Sequence, residues 1–218
     1  MNTIIVEANE LIASQIWKVE YFQTGSRLGI RSKHSRKLCE LVSQRKEAFD
    51  PSKKTKVPKI YIGLEDIEPV VGLMRKSKEH SAHEVKSISK MFYKGDILFG
   101  RLRPILNKIL YVESLTNEFG ICSNEFIVLT PNLDLVDPIY LRAVLSSAQI
   151  QEAIKRFQSG STLPRIYADD LLNIEIPLPT LTKQIEIGKR MQTLAKEYGD
   201  ASIRLDQIKE DFLKIKLS

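Results

Sequence analysis

The amino-acid sequence predicts an α+β fold: a single mixed α/β domain followed by a long C-terminal α-helix. Three observations carry that expectation. Short β-branched and aromatic runs recur between polar loops, an Asp-Pro pair opens a broad-faced helix, and the C-terminal segment holds an apolar seam of helical period.

The 218 residues suffice for one core, or for one globular domain plus an extended element. A hydrophobic fraction of 43% and a charged fraction of 28% exclude wholesale disorder and a fibrous architecture. Lys and Arg number 33 against 27 Asp and Glu, a net charge of +6 and a pI near 9.2. The excess is concentrated, because residues 27–59 hold eleven Lys and Arg against Glu40, Glu47 and Asp50. Such a one-sided field draws in phosphate and is screened by salt, so nucleic acid ranks ahead of a membrane surface as partner.

Cys39 and Cys122 lack paired spacing and a companion His cluster. Neither a disulfide framework nor a zinc site is expected, and both thiols are read as reduced. No apolar run approaches the roughly 20 residues of a membrane span, which makes the cytoplasm the expected location.

Taken in order, residues 4–22 are apolar at mixed spacing and fit either a short helix or an arm packed on the main domain. Residues 26–56 are polar and basic, with an apolar insert at Leu38, Leu41 and Val42, and read as a loop-rich approach to the first strand. Lys59–Leu64 alternates as a half-buried strand does, and a polar stretch from Arg75 to Lys90, with His80 and His83, separates it from the next. Lys94-Gly95-Asp96 is a turn into the strand Ile97–Phe99, and Ile109–Val112 and Phe126–Leu129 continue the β pattern.

Asp137-Pro138 supplies a capping side chain and a proline at the first helical position, predicting a helix to Phe157. Another helical turn is expected over Tyr167–Leu172 and a last strand over Ile174–Ile176. From Leu181 to Leu217 the residues Ile187, Met191, Leu194, Tyr198, Ala201, Leu205, Ile208, Phe212 and Ile215 recur in steps of four and three. That is a seam of about 3.5-residue period on a helix roughly 55 Å long, more than a domain of this size buries, so a partner helix is expected. A terminal helix folded back on its own domain is the simpler alternative, and the small Gly188, Gly199 and Ala201 would permit a close helical crossing.

Several segments in order resemble the specificity subunit of type I restriction-modification systems. They are Lys94-Gly95-Asp96-Ile97-Leu98, then Gly160-Ser161-Thr162-Leu163-Pro164-Arg165 followed by Leu171-Leu172, then Ile174-Glu175-Ile176-Pro177-Leu178-Pro179 with Gln184 and Ile187. The resemblance covers the chain from about residue 57 onward. Residues 1–25, read from their spacing as an arm or helix, match no part of the family; beyond them the resemblance implies a target recognition domain over 26–179 and a long helix over 180–218 for dimerisation and subunit docking. A complete subunit of this family has two recognition domains and two long helices paired antiparallel. One of each stands here, as in a half-subunit, with a Pro-Leu-Pro-Thr step where the family commonly has a double proline.

The resemblance further implies a homodimer joined through an antiparallel coiled coil and reading a bipartite palindrome. The expected partners are double-stranded DNA, a second copy of the chain, a methyltransferase (modification) subunit using S-adenosylmethionine, and a restriction motor subunit using ATP and Mg. No catalytic residue, cofactor or metal is expected in the chain itself.

For phosphate anchoring the candidates are Lys53, Lys54, Lys56, Arg75, Lys76 and Lys78. For base reading they are Arg101, Arg103, Asn107, Ser123 and Asn124 beside the Gly-Asp strand, and Ser161, Thr162 and Arg165 in the later loop. Arg can fork onto guanine and Asn onto adenine. Two rival readings stand beside this one. Asp66 with Glu84-Val85-Lys86 spells a magnesium-dependent nuclease set, in which two carboxylates hold the metal and the lysine steadies the attacking water. Alternatively the chain is a coiled-coil adaptor with an incidentally basic domain.

Overall fold

The computed structural model describes residues 34–53, 60–75, 85–160 and 162–215. The chain enters through β1 (Ser35–Lys37), a one-turn helix α1 (Leu38–Leu41), β2 (Val42–Arg45) and β3 (Ala48–Phe49). Next come β4 (Tyr61–Ile62), β5 (Ser89–Phe92), β6 (Ile97–Gly100), β7 (Ile109–Tyr111), β8 (Gly120–Cys122) and β9 (Phe126–Pro131). Helices α2 (Pro138–Leu145), α3 (Ala148–Lys155) and α4 (Ala168–Leu172), strand β10 (Glu175–Pro177) and the long helix α5 (Leu181–Leu213) complete the chain.

The strands form an antiparallel sheet in the order β2-β9-β6-β7 and a second sheet in the order β3-β5-β8-β4, in which only β4 and β8 run parallel. The first sheet is central, because its two faces feed different cores. Ile97, Phe99, Ile109, Ile127 and Leu129 point into a core shared with α1 to α4, while Leu98, Leu110, Phe126 and Val128 point into one shared with the second sheet. A strand buried on both faces has no need of polar alternation. That is why Ile97–Phe99 and Phe126–Leu129 read as continuous apolar runs. Each fully buried Leu, Ile or Phe contributes roughly 1.5–3 kcal/mol.

The turn before β6 shows why Gly and Asp stand together. Gly95 adopts φ 91°, a left-handed conformation suited to glycine. Asp96 is then turned inward and buried, where its carboxylate accepts from Arg45 Nε at 2.8 Å, Thr130 Oγ1 at 2.7 Å and the Tyr93 backbone N–H at 2.8 Å. One carboxylate thus joins β2, β9 and the end of β5.

Several expectations require correction. The basic segment from Ser26 onward is not simply a loop over its described part: β1 pairs with β10, closing the body, and β2 edges the central sheet. Charged side chains on exposed edges conceal these strands from a pattern search. β5 begins inside the stretch Arg75–Lys90 read as polar, β8 falls where no strand is expected, and the Lys59–Leu64 strand is only Tyr61–Ile62 among its described residues. The helix expected to run from Asp137 to Phe157 breaks at Ser146-Ser147, where Ser147 caps α3 by accepting from Ile150 N–H at 3.4 Å. Asp137 caps α2 as expected, accepting from Tyr140 N–H at 2.7 Å.

Cys39 is exposed and Cys122 is buried, where burial pushes its thiol up to about 12. No described helix is long and apolar enough to cross a membrane. The arm expected over 1–25, with His80 and His83, lies outside the described residues.

Candidate nucleic-acid interface

Three loops are laced together by backbone hydrogen bonds at the end of β6. The strand runs out through Arg101 to Arg103, and Arg101 N–H donates to the Glu125 carbonyl at 2.8 Å in the turn that joins β8 to β9. On the other side the segment Ser159–Arg165 folds into a small hairpin, with Ser159 and Arg165 exchanging 2.9 Å bonds and Gly160 at φ 98°. That hairpin is clipped to β6's extension, because Arg103 N–H donates to the Pro164 carbonyl at 2.7 Å and Ile166 N–H to the Arg101 carbonyl at 3.1 Å. Residues far apart in sequence therefore share one ridge: Arg101, Arg103, Ser123, Asn124, Thr162 and Arg165 all stand on it.

Its electrostatics centre on Glu125. Arg165 forks onto this carboxylate, with Nη2 2.7 Å from Oε1 and Nε 3.1 Å from Oε2, and holds its pKa below the ordinary value. Arg101 Nε lies 3.9 Å from the same carboxylate, and its guanidinium sits 5.7 Å from the exposed ring of Tyr167. Lys90, half-buried on β5, donates to the Phe126 carbonyl; burial and the nearby Arg101 lower its pKa. Arg103 stands exposed at φ 45° with no ion-pair partner among the described residues. Arg101, Arg103 and Arg165, with Lys90 nearby on β5, outnumber Glu125, the one carboxylate among the described residues of these segments, leaving an excess of positive charge.

The other candidates separate from this ridge or are already engaged. Asn107 is buried, takes φ 52°, and spends its amide on the Ser146 carbonyl at 2.8 Å, so it is part of the fold. Asn124 donates to the Ile88 carbonyl at 2.8 Å, and Ser123 Oγ accepts from Glu125 N–H at 3.2 Å. Lys53 is exposed and 3.9 Å from Asp50. Arg75 is bound to Glu68 at 2.6 Å beside α5, away from the ridge loops. Lys54, Lys56, Lys76, Lys78 and Ser161 lie outside the described residues.

In the rival nuclease set Asp66 is buried, accepting from the Gly63 N–H at 2.7 Å, while Glu84 lies outside the described residues. Among the described residues no group of His, Cys, Asp and Glu is placed to hold a metal ion. Sequence reasoning missed Lys90, Glu125 and Tyr167. Glu125 had a visible signal, since a lone acid between Asn124 and the β9 run, in a basic chain, invites a cationic partner.

Helix α5 meets the body along one row. Gln184 is buried at its root, accepting from Asp137 N–H at 2.9 Å and donating to the Pro179 carbonyl at 2.8 Å. Gly188 permits the close crossing with α2, since a Cβ there would lie 3.0 Å from Asp137 Oδ1. Met191, Ala195, Gly199 and Ser202 extend the row along the loop 71–75.

The apolar seam divides accordingly. Ile187 packs on the core and Met191 lies against the body, whereas Leu194, Ala201, Leu205, Ile208, Phe212 and Ile215 are exposed. From Leu194 on, seam residues precede body-facing ones by a single position (Leu194 and Ala195, Tyr198 and Gly199, Ala201 and Ser202), and successive positions differ by about 100° around a helix. One row thus docks on the body, Tyr198 stands at its margin with its hydroxyl on Glu68, and the outer seam from Leu205 to Ile215 is exposed.

The model of the type I restriction modification DNA specificity domain matches residues 35–206. Over 136 residues the chain is 26% identical to the EcoDI specificity subunit of Escherichia coli, a type I restriction enzyme component, covering 59% of this chain and 29% of that protein. It is 29% identical over 100 residues to the HindI specificity subunit of Haemophilus influenzae, covering 45% of this chain and 22% of that one. Among solved structures, the HsdS subunit from Thermoanaerobacter tengcongensis matches 81% of the chain with 45% of its own length, at TM-score 0.62 and 24% identity. A chain from a structure concerned with complex assembly and conformational transition of the type I R-M system matches 83% with 47% of its own length, at TM-score 0.65 and 25% identity. The chain therefore spans less than half the length of each of these relatives.

Proposed function

Because the chain belongs to the type I restriction modification DNA specificity domain family, we propose that it reads a sequence in double-stranded DNA for partner methyltransferase and restriction subunits. It has no catalytic role of its own in this reading. The observation that carries it is the ridge where Arg101 and Arg103 on the extension of β6 meet Arg165 on the hairpin, with Lys90 of β5 close to Arg101. Arg103 has no ion-pair partner among the described residues, and Arg101 is steadied by Glu125 and Tyr167. A guanidinium held in one orientation loses little rotamer freedom when it meets a base edge, and so discriminates well.

We further propose that two copies pair through the bare face of α5. The support is that the outer seam residues Leu205, Ile208, Phe212 and Ile215 are exposed, whereas the body engages the seam only at Ile187, Met191 and Tyr198 among the described residues. An antiparallel pair would set two identical heads apart on the duplex, so the site would be a bipartite palindrome with an unspecified spacer. S-adenosylmethionine, ATP and Mg then belong to the partner subunits.

Duplex binding measured across a salt series tests the DNA reading. Affinity should fall as salt rises, with a log–log slope of about −0.9 for each phosphate neutralised. Binding that ignores salt, or cleavage of the duplex on adding magnesium, would replace it with the adaptor or nuclease reading.

A further inference from the structure

We infer that the loop Ile67–Arg75 is a brace that fixes the angle between the head and its stalk, and that Glu68, Leu73 and Tyr198 thereby set the spacer length the protein accepts. The spacer part rests on the two-fold reading above. The brace itself rests on geometry alone.

The loop is closed by an Ile67–Met74 bridge, with Glu68 N–H donating to the Leu73 carbonyl at 2.8 Å and Gly72 N–H to the Glu68 carbonyl at 2.9 Å. Val70 sits at φ 65°, a conformation that a β-branched side chain adopts only when its surroundings impose it. The surroundings are specific. Val70 N–H donates to the Asn107 carbonyl at 2.8 Å, and the Val70 carbonyl accepts from the buried Arg142 at 2.7 Å. Gly72, also at φ 65°, lies so close to Arg142 and the Ile109 carbonyl that a Cβ would fall 2.2 and 2.1 Å from them. One side of the loop is thus bolted to the body.

The other side bears on α5. Glu68 is shared between Arg75, at 2.6 Å, and the Tyr198 hydroxyl, which donates to it at 2.9 Å, while a Cβ on Gly199 would lie 3.6 Å from Leu73 Cδ1. Gln184 holds the root of the helix fourteen residues earlier, about 21 Å away at 1.5 Å per residue. Ile187, Gly188 and Met191 hold the first turns, and the brace at Tyr198 and Gly199 is the hold furthest from the root. Without it the helix is fixed over a shorter base, and a slip of about 1 Å at the brace turns it by roughly 3°. Spacers differing by one base pair displace the second half-site by about 3.4 Å and rotate it by roughly 35° about the duplex. Only a stiff head–stalk junction can tell such spacers apart.

The brace is tested by spin-label distances between Asp134→Cys on the head and Lys209→Cys on the stalk, in a Cys39→Ser background. Labelled protein is diluted with unlabelled chain so that only distances within one protomer are read. The parent should give one narrow distribution. Glu68→Ala, Leu73→Ala and the isosteric Tyr198→Phe should each broaden or shift it, with the thermal midpoint of Tyr198→Phe close to the parent's. Distributions unchanged in centre and width in all three would overturn the brace, whatever the DNA result.

The second readout is duplex binding with the half-sites at their own spacing and one base pair longer or shorter. The parent should prefer its own spacing by about tenfold or more, and the brace variants should lose most of that preference while keeping half-site specificity. Variants with a disturbed distance distribution and an intact spacing preference would refute the link to spacer length. A parent that recognises no paired half-sites would instead defeat the two-fold reading and leave the distance measurement to decide the brace.

Discussion

Arg165 holds Glu125 in a two-point grip, Nη2 to Oε1 at 2.7 Å and Nε to Oε2 at 3.1 Å, forty residues apart in sequence. The pair locks the hairpin 159–165 to the turn that begins β9. It also occupies the cation that sequence pattern offered as a base reader, and leaves Arg101 and Arg103 as the freer guanidinium groups on the ridge.

Glu125→Gln should therefore loosen the hairpin. Arg165 lowers the Glu125 carboxyl below the usual 4.5, so its stabilisation is present above 4.5 and is lost as pH falls through the lowered folded value. For a partly exposed pair the loss is about 1 kcal/mol, or roughly 2–4 °C in thermal midpoint at pH 7. Thermal unfolding from pH 7 to 3.5 should show the variant and parent converging below pH 4.5. A gap that stays constant with pH would show that the carboxylate charge is not what holds the hairpin.

Arg101→Ala and Arg103→Ala should each relax one position of the recognised sequence, by roughly 1–3 kcal/mol. Lys53→Ala should instead weaken every sequence alike. Competition binding against single-base variants of the site separates the two behaviours. Equal loss on all sequences for an Arg variant would reassign that residue to phosphate.

Arg142→Met removes a guanidinium that burial pushes down to about 10, and whose bonds go to the Ile109 carbonyl at 3.3 Å and the Val70 carbonyl at 2.7 Å. Two carbonyls lose their donor, at about 1–3 kcal/mol each where buried. We expect a midpoint lower by about 5–15 °C, checked by calorimetry. An unchanged midpoint would mean that the loop at Val70 is held by other contacts.

Leu205→Asp with Ile208→Asp puts two carboxylates on seam residues that are exposed in the single chain. The parent should scatter as a dimer and the variant as a monomer of native secondary structure. Equal masses for both would remove the proposed pairing.

Much of this arrangement was legible in the sequence, and physics explains the division. The central strands were visible because both faces of β6 and β9 are buried, which leaves runs such as Ile97–Phe99 with no polar interruption. The stalk was visible because Leu205, Ile208 and Phe212 keep strict spacing. β1, β2 and β5 escaped notice because an edge strand such as Ser35–Lys37 or a mixed one such as Ser89–Phe92 satisfies its backbone with few apolar side chains. Asn107 and Arg142 were illegible in a deeper sense: a buried polar side chain has the same letter as an exposed one, and only its carbonyl partner says which it is. Likewise the small residues Gly188 and Gly199 hinted at a close crossing, but not that it would take in Ile187 and Met191 of the seam and pass beside its outer half.

Selection of bound molecules from random duplexes by the purified chain tests the account most directly. It predicts one half-site recovered twice, in inverted orientation, across a spacer of fixed length and no fixed sequence. Recovery of a single undivided site, or no enrichment at all, would contradict it.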